Sequence, residues 1–129
     1  MSMQKVSAGI IEKDGKILIA HRKTGKCVGQ KWEFPGGKVE AGETTEECLK
    51  RELKEELNIE VEIIEHFSTG MFECENRDIE LIAYRVKYLS GEIRPVDHDE
   101  IKWVSPHELT NYEFTLPDVP IAQKILQNF

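Results

Sequence analysis

The stretch GGKVEAGETTEECLKRELKEELNI, residues 36–59, combines a glycine pair, seven glutamates and regularly spaced leucines. A helix is predicted over 44–57, because Thr44 and Glu47 have the spacing of a capping box and apolar residues recur every three or four positions. Asn58 fits the left-handed residue that ends many helices. The stretch is therefore predicted to fold as a loop, a helix and a tight turn.

Three glutamates of this helix, Glu52, Glu55 and Glu56, are spaced i, i+3 and i+4 and so share one face. Like charges at this spacing repel one another, and a divalent cation would reverse that cost. Carboxylate oxygens are ligands that suit Mg²⁺ and Mn²⁺. A glutamate-rich helix face is also common as a plain solvated surface, so the spacing alone leaves both interpretations open.

The rest of the chain alternates predicted strands and helices without a repeat or a linker. Strands are predicted at 5–13, 16–22, 32–34, 59–70, 78–89 and 100–105. Asp14 and Gly15 indicate a hairpin between the first two, and the glycine-rich segment 23–31 is predicted to be a loop. The last fourteen residues predict an amphipathic helix with Ile121, Ile125 and Leu126 facing inward. The expected architecture is a mixed β-sheet covered by helices.

Size and charge exclude several classes of protein. A chain of 129 residues has the usual length of a single domain. A net charge of −7 without a cluster of lysines and arginines argues against binding to duplex nucleic acid. Neither a signal peptide nor a long apolar run is visible, which predicts a cytoplasmic protein with no membrane partner. The three cysteines are odd in number and widely spaced, and we expect them to be reduced.

The acidic helix lies inside a longer pattern: Gly37, five residues, Glu43, seven residues, then Arg51-Glu52-Leu53-X-Glu55-Glu56-X-X-Ile59. This pattern resembles the signature of the Nudix hydrolase superfamily over residues 37–59. It departs at Asn58, where the family usually has glycine, but asparagine tolerates the left-handed conformation well. Segments 8–22, 31–40 and 103–126 look like the MutT-type branch, whose bacterial members include CTP and 8-oxo-dGTP pyrophosphohydrolases.

The resemblance implies one Nudix domain over residues 1–129, folded as an α/β/α sandwich. It implies a metal-dependent enzyme that cleaves nucleoside triphosphates to the monophosphate and pyrophosphate, with Mg²⁺ or Mn²⁺ as cofactor. The implied metal ligands are Glu52, Glu55, Glu56 and the backbone carbonyl of Gly36. Asp97 stands where relatives usually carry a further ligating glutamate. Glu52 is our candidate for assisting the base step.

Nucleotide contacts are implied at four further positions of the MutT-like pattern. Arg22 and Arg77 match phosphate-contacting or nucleotide-contacting positions, although each would also be ordinary as a surface arginine. Asp118 matches the position that reads the base, where a carboxylate would accept a hydrogen bond from an amino group such as that of cytosine. Its alternative role is the N-cap of the last helix. Phe34 could stack on the base or belong to the core.

Gly37, Glu43 and Arg51 are implied to brace the loop against the helix, while an ordinary pair between Arg51 and Glu47 is an alternative. His98 is interpreted as a loop histidine. Two other functions remain open: cleavage of a nucleotide sugar such as ADP-ribose, and a non-catalytic binding module. The intact glutamate set argues against the second. A homodimer is possible from the sequence.

Overall fold

The computed structural model describes residues 3–22 and 31–129. The predicted loop at 23–31 therefore lies outside the described residues except for Lys31. In chain order the elements are β1 (Met3–Lys13), β2 (Lys16–Arg22), β3 (Trp32–Glu33), β4 (Gly36–Lys38), α1 (Thr45–Leu57), β5 (Glu60–Cys74), β6 (Arg77–Ser90), β7 (His98–Val104) and α2 (Val119–Asn128). Two 3₁₀ helices, Pro106–Asn111 and Leu116–Asp118, precede α2.

The strands form one mixed sheet with the order β3-β2-β1-β6-β5, while β4 pairs with β1 and β7 pairs with β2. The β1–β6 pair is parallel, and the other pairs are antiparallel. The short strand β4 lies against Val6–Ala8 of β1, which brings the glycine pair to the middle of the sheet. The predicted mixed sheet is confirmed.

Helices cover both faces of this sheet, because successive residues of the central strands feed two separate apolar clusters. One cluster combines Ile10, Ile17 and Ile19 with Ile121, Ala122 and Ile125 of α2. The other combines Ile11 and Leu18 with Leu49, Leu53 and Leu57 of α1. Since neighbouring side chains of a strand point to opposite faces, α1 and α2 lie on opposite sides of the sheet. The predicted α/β/α sandwich is confirmed.

Local sequence signals account for the ends of α1 and the first hairpin. The hydroxyl of Thr44 accepts a hydrogen bond from the Glu47 backbone N–H, and the Glu47 carboxylate accepts one from the Thr44 N–H. Asn58 adopts φ 62°, the left-handed conformation expected at the end of the helix. Asp14 and Gly15 have φ values of 52° and 77°, as the tight hairpin turn requires.

Two expectations of detail are wrong. Leu126 is 39% exposed, and Ala122 takes the inward position next to Ile121 and Ile125. Cys48 is a free, buried cysteine, whereas Cys74 is disulfide-bonded, contrary to the expectation of three reduced thiols. Cys27 lies outside the described residues. Within the described ranges, every helix is too short or too polar to cross a membrane.

Candidate active site

The glycine pair of β4 allows backbone and side chains to approach each other closely. A Cβ added to Gly36 would lie 1.8 Å from the carbonyl oxygen of Ser7 on β1, so no side chain fits there. A Cβ added to Gly37 would lie 2.3 Å from the Oε2 atom of Glu52. Gly37, which was predicted to brace the loop, thus leaves a space that the Glu52 carboxylate fills.

Arg51 connects the loop after β4 with helix α1. Its Nη2 and Nε atoms donate to the two carboxylate oxygens of Glu43 at 2.7 and 3.1 Å, and Nη2 also donates to the Lys38 carbonyl at 3.2 Å. This fork holds the pKa of Glu43 down at about 2. The Glu47 carboxylate is instead used in the helix cap.

Arg51 also contacts two of the three carboxylates implied as metal ligands. Its Nη1 atom donates to Glu52 at 2.8 Å and to Glu55 at 3.2 Å. The side chain of Glu55 is largely exposed, whereas that of Glu52 is mostly covered, and burial raises the pKa of Glu52. In residues 3–22 and 31–129, no three acidic, histidine or cysteine side chains converge closely enough to enclose a metal ion.

Glu56, the third of these carboxylates, is 6% exposed, and its Oε1 atom has no hydrogen-bond partner. Burial raises its pKa to about 8, and the neighbouring charges of Glu33, Glu52 and Asp97 act in the same direction, partly offset by Arg22. A buried carboxylate oxygen without a partner is costly and is suited to coordinate a cation. The three glutamates therefore offer carboxylate oxygens of the kind that bind a divalent metal ion, and Glu56 supplies one that has no other partner among the described residues.

Asp97 is brought to this end of α1 by the segment before β7. The N–H groups of Arg94 and Val96 donate to the carbonyls of Leu57 and Glu56 at 2.9 and 3.0 Å, so the segment satisfies carbonyls of the last helical turn. Asp97 follows directly, is exposed, and acts electrostatically on Glu56. The structure thus brings Asp97 near the predicted ligand Glu56.

A cavity of about 580 Å³ opens on the other side of β4. All four residues predicted to contact the nucleotide line it, namely Arg22, Phe34, Arg77 and Asp118. Gly36 and Gly37 also line it, and the Glu52 carboxylate lies against Gly37. The glycine strand therefore separates the cavity from the acidic face of α1, with only backbone between them.

Asp118 lies at the apolar end of the cavity and is 6% exposed. Burial raises its pKa to about 8, although the Thr115 hydroxyl donates a hydrogen bond to it. Asp118 is the N-cap residue of α2, as the alternative predicted, but its side chain makes no capping hydrogen bond to the helix. The raised pKa favours the protonated carboxyl, which can donate a hydrogen bond as well as accept one.

Phe34 and Arg77 both line the cavity, one buried and the other exposed. Phe34 is 3% exposed and its ring stacks on that of Phe114, with centroids 5.1 Å apart, so it belongs to the core and lines the cavity as well. Arg77 is exposed at the start of β6. It follows a hairpin turn in which Glu75 and Asn76 both have positive φ, and Glu75 of this turn also lines the cavity.

Glu33, which the sequence analysis did not single out, and His98 both lie close to Arg22. Glu33 is 7% exposed and accepts two hydrogen bonds from Arg22, at 3.2 and 2.8 Å. His98 is buried on β7, where its Nε2 atom lies 2.8 Å from Oε2 of Glu33, so its interpretation as a loop histidine is wrong. For Glu33, the only signal in the sequence was its position as a charged residue between the aromatic residues Trp32 and Phe34.

The cavity of about 580 Å³ has the size of a small-molecule site, and the acidic helix beside it carries carboxylates of the kind that hold catalytic metal ions. The NUDIX domain model matches the chain over residues 1–129. The chain belongs to the Nudix family, and it is a hydrolase of phosphoanhydride bonds of the MutT-like type. Nudix hydrolases generally need a divalent metal ion.

Individual relatives agree with this assignment. The CTP pyrophosphohydrolase of Escherichia coli is 38% identical over 126 residues, covering 98% of this chain and 93% of its own. The 8-oxo-dGTP diphosphatase of Haemophilus influenzae is 37% identical over 123 residues, covering 95% and 90%. Among solved structures, the E. coli ORF135 protein is 36% identical with a TM-score of 0.87, covering 98% of this chain and 91% of its own.

Proposed function

We propose that this enzyme cleaves (deoxy)nucleoside triphosphates to the monophosphate and pyrophosphate, with Mg²⁺ or Mn²⁺ as the metal ion. The observation that carries the proposal is that Asp118, Phe34 and Arg22 line the same cavity as the glycine strand, with the Glu52 carboxylate directly behind Gly37. The names of the relatives, CTP pyrophosphohydrolase and 8-oxo-dGTP diphosphatase, support a triphosphate substrate.

The base of the nucleotide is proposed to lie at Asp118. A protonated carboxyl offers one donor and one acceptor, which complement the N4 amino group and N3 of cytosine or the edge of an oxidised purine. Pro117 and Leu81 provide apolar surface beside it, and Phe34 closes the wall. This end therefore suits a cytosine-type or modified base, and the enzyme would remove such nucleotides from the pool.

The phosphates are proposed to extend from Arg22 toward β4. Two N–H groups of Arg22 are held by Glu33, which leaves the rest of its planar guanidinium for phosphate oxygens. Arg77, an exposed residue that also lines the cavity, would add a second cation over the substrate. Arg22 and Arg77 thus offset the negative charge that the acidic helix would otherwise present to the triphosphate.

Glu52, Glu55, Glu56, Asp97 and the Gly36 carbonyl would hold the metal ion. When bound, the metal ion supplies positive charge that neutralises phosphate oxygens and lowers the pKa of water. Water forms a bond to the β-phosphorus while the bond from that phosphorus to the oxygen bridging to the α-phosphorus breaks, and the nucleoside monophosphate leaves. Glu52 is proposed to accept the water proton, since burial already favours a proton on its carboxylate.

The proposal is tested by pyrophosphate release from a panel of normal and oxidised (deoxy)nucleoside triphosphates and ADP-ribose, with Mg²⁺, Mn²⁺ or EDTA. We expect metal-dependent release of pyrophosphate, with a base preference that Asp118→Asn changes. Release of AMP from ADP-ribose without triphosphate turnover would instead support the nucleotide-sugar alternative. The cytoplasm, where nucleotide pools are used, is the proposed compartment, and light scattering would test whether the chain forms a homodimer.

A further inference from the structure

We propose that His98 is a positioning residue for this hydrolase, acting on the substrate through Glu33 and Arg22. The inference rests on the proposed function, because it takes Arg22 to bind the phosphates. The three side chains form one chain of hydrogen bonds from the interior to the cavity wall. His98 itself is not among the residues that line the cavity.

The His98 end of this chain is completely enclosed. The side chain of His98 has 0% relative exposure, and that of Glu33 has 9%, whereas that of Arg22 has 25% and reaches the cavity. A carboxylate is an acceptor only, so the Nε2 atom of His98 must carry the hydrogen and donate it to Oε2 of Glu33 at 2.8 Å. Within the described part of the chain the Nδ1 atom has no hydrogen-bond partner, so the bond from Nε2 to Glu33 is the one side-chain hydrogen bond that the buried ring makes there.

Strand pairing brings the two ends of this chain together. Strand β2 lies between β3 and β7, and Arg22 is its last residue. Arg22 is the register partner of His98, and the pairing shifts between His21 and Arg22. An irregularity of this kind re-aims the side chain next to it. Here it leaves Arg22 at the cavity, with Glu33 of the neighbouring strand between Arg22 and His98.

The hydrogen bond from His98 fixes the position of the Glu33 carboxylate. Both hydrogen bonds between Arg22 and Glu33 would persist if the pair moved together, because a guanidinium and a carboxylate form a rigid fork. The hydrogen bond from His98 attaches this fork to β7. Strand β7 begins directly after Asp97, one of the proposed metal ligands. Loss of that bond would let the Arg22–Glu33 pair shift relative to the glycine strand and weaken phosphate binding.

The experiment compares His98→Leu, which removes the donor, with His98→Gln, whose amide can donate from nearly the same place, and His98→Asn, whose shorter amide cannot reach. His107→Leu is the matched control on the exposed 3₁₀ helix. We expect KM for the preferred triphosphate to rise about tenfold in His98→Leu and His98→Asn, with a smaller change in kcat. His98→Gln and His107→Leu should retain the KM of the unmodified enzyme.

A double-mutant cycle with Arg22→Ala identifies the route of the effect. If His98 acts through Arg22, the increase in KM from His98→Leu disappears in the Arg22→Ala background. The proposal is overturned by an increase of the same size in both backgrounds, or by an unchanged KM in His98→Leu and His98→Asn. His98→Gln and His98→Asn are both polar, so their comparison stays informative if His98→Leu folds poorly.

A measurement without substrate separates this proposal from the proposed function. The ¹⁵N–¹H NMR signal of the Arg22 Nε–H group should be slow to exchange in the unmodified protein, since this group donates to the buried Glu33. We expect His98→Asn to broaden or lose this signal and His98→Gln to keep it. Failure of all triphosphate turnover would refute the proposed function alone, whereas an unchanged Arg22 signal in His98→Asn would refute the positioning role.

Discussion

The carboxylate of Glu52 lies where a side chain at position 37 would have to be, with only 2.3 Å between its Oε2 atom and a Cβ placed on Gly37. Two residues fifteen positions apart in the sequence are thus in direct steric competition. Glycine at position 37 lets the acidic helix approach the strand that lines the nucleotide cavity. The smallest possible change at either residue should therefore disturb the arrangement.

Gly37→Ala is expected to lower kcat/KM about 100-fold, because the added methyl group displaces a carboxylate by roughly 1 Å or more. Steady-state pyrophosphate release is the measurement, and thermal unfolding checks that the fold is kept. Gly70→Ala is the matched control, since a Cβ there meets no atom within 4 Å. Full activity of Gly37→Ala would show that the position of Glu52 is unimportant for turnover.

Glu55→Gln is expected to lower kcat at least about 100-fold while leaving the thermal midpoint nearly unchanged, because the side chain is largely exposed and its proposed role is to bind metal. Binding of Mn²⁺, followed by electron paramagnetic resonance, should weaken in parallel. Glu62→Gln, an exposed glutamate on β5, is the control. Comparable turnover in Glu55→Gln and the unmodified enzyme would contradict the proposed ligand set.

Arg51→Lys should lower turnover about tenfold, because lysine keeps the charge but cannot form the fork that joins Glu43 to the helix. The loop between β4 and α1 would then lose its attachment to α1. Hydrogen exchange of the backbone N–H groups at 38–44 measures this directly and should become faster. Lys50→Arg, on the exposed side of α1, tests for general effects of changing a cation; unchanged exchange in Arg51→Lys would exclude a bracing role.

Asp118 makes the stability of the protein depend on pH in a direction that can be worked out. Its pKa is about 8 in the folded protein and 3.8 in the reference state, so between these values the unfolded chain releases a proton that the folded chain keeps. The stabilisation of the folded protein by this proton is complete below pH 3.8. It is lost as the pH rises toward 8, by at most about 1.4 kcal/mol per pH unit.

Asp118→Asn removes this dependence, so its free energy of unfolding relative to the unmodified protein should rise steadily between pH 4 and pH 8. Urea unfolding at several pH values measures the difference. Asp14→Asn, in the exposed turn between β1 and β2, is the control. A difference that stays constant across this range would mean that Asp118 is ionised in the folded protein.

Local sequence signals were sufficient for helix α1 and the first hairpin, whereas the short strand β4 (Gly36–Lys38) was not predicted. The capping box at Thr44, the left-handed Asn58 and the Asp14-Gly15 turn each specify a backbone conformation within a few residues. The spacing of Glu52, Glu55 and Glu56 likewise placed them on one helix face. By contrast, nothing local distinguished Leu126 from Ala122 as the inward residue of α2, because that depends on the exact angle at which the helix meets the sheet.

By itself, the sequence determined the family, the mixed sheet covered by helices and the acidic face of α1, because these depend on short-range spacing and turn chemistry. Only the tertiary structure decided that His98 lies behind Glu33 and Arg22, that burial raises the pKa of Asp118, and that Gly37 makes room for Glu52. These properties depend on burial and on distances between residues far apart in the chain. Strand pairing and packing set those distances, and no local pattern encodes them.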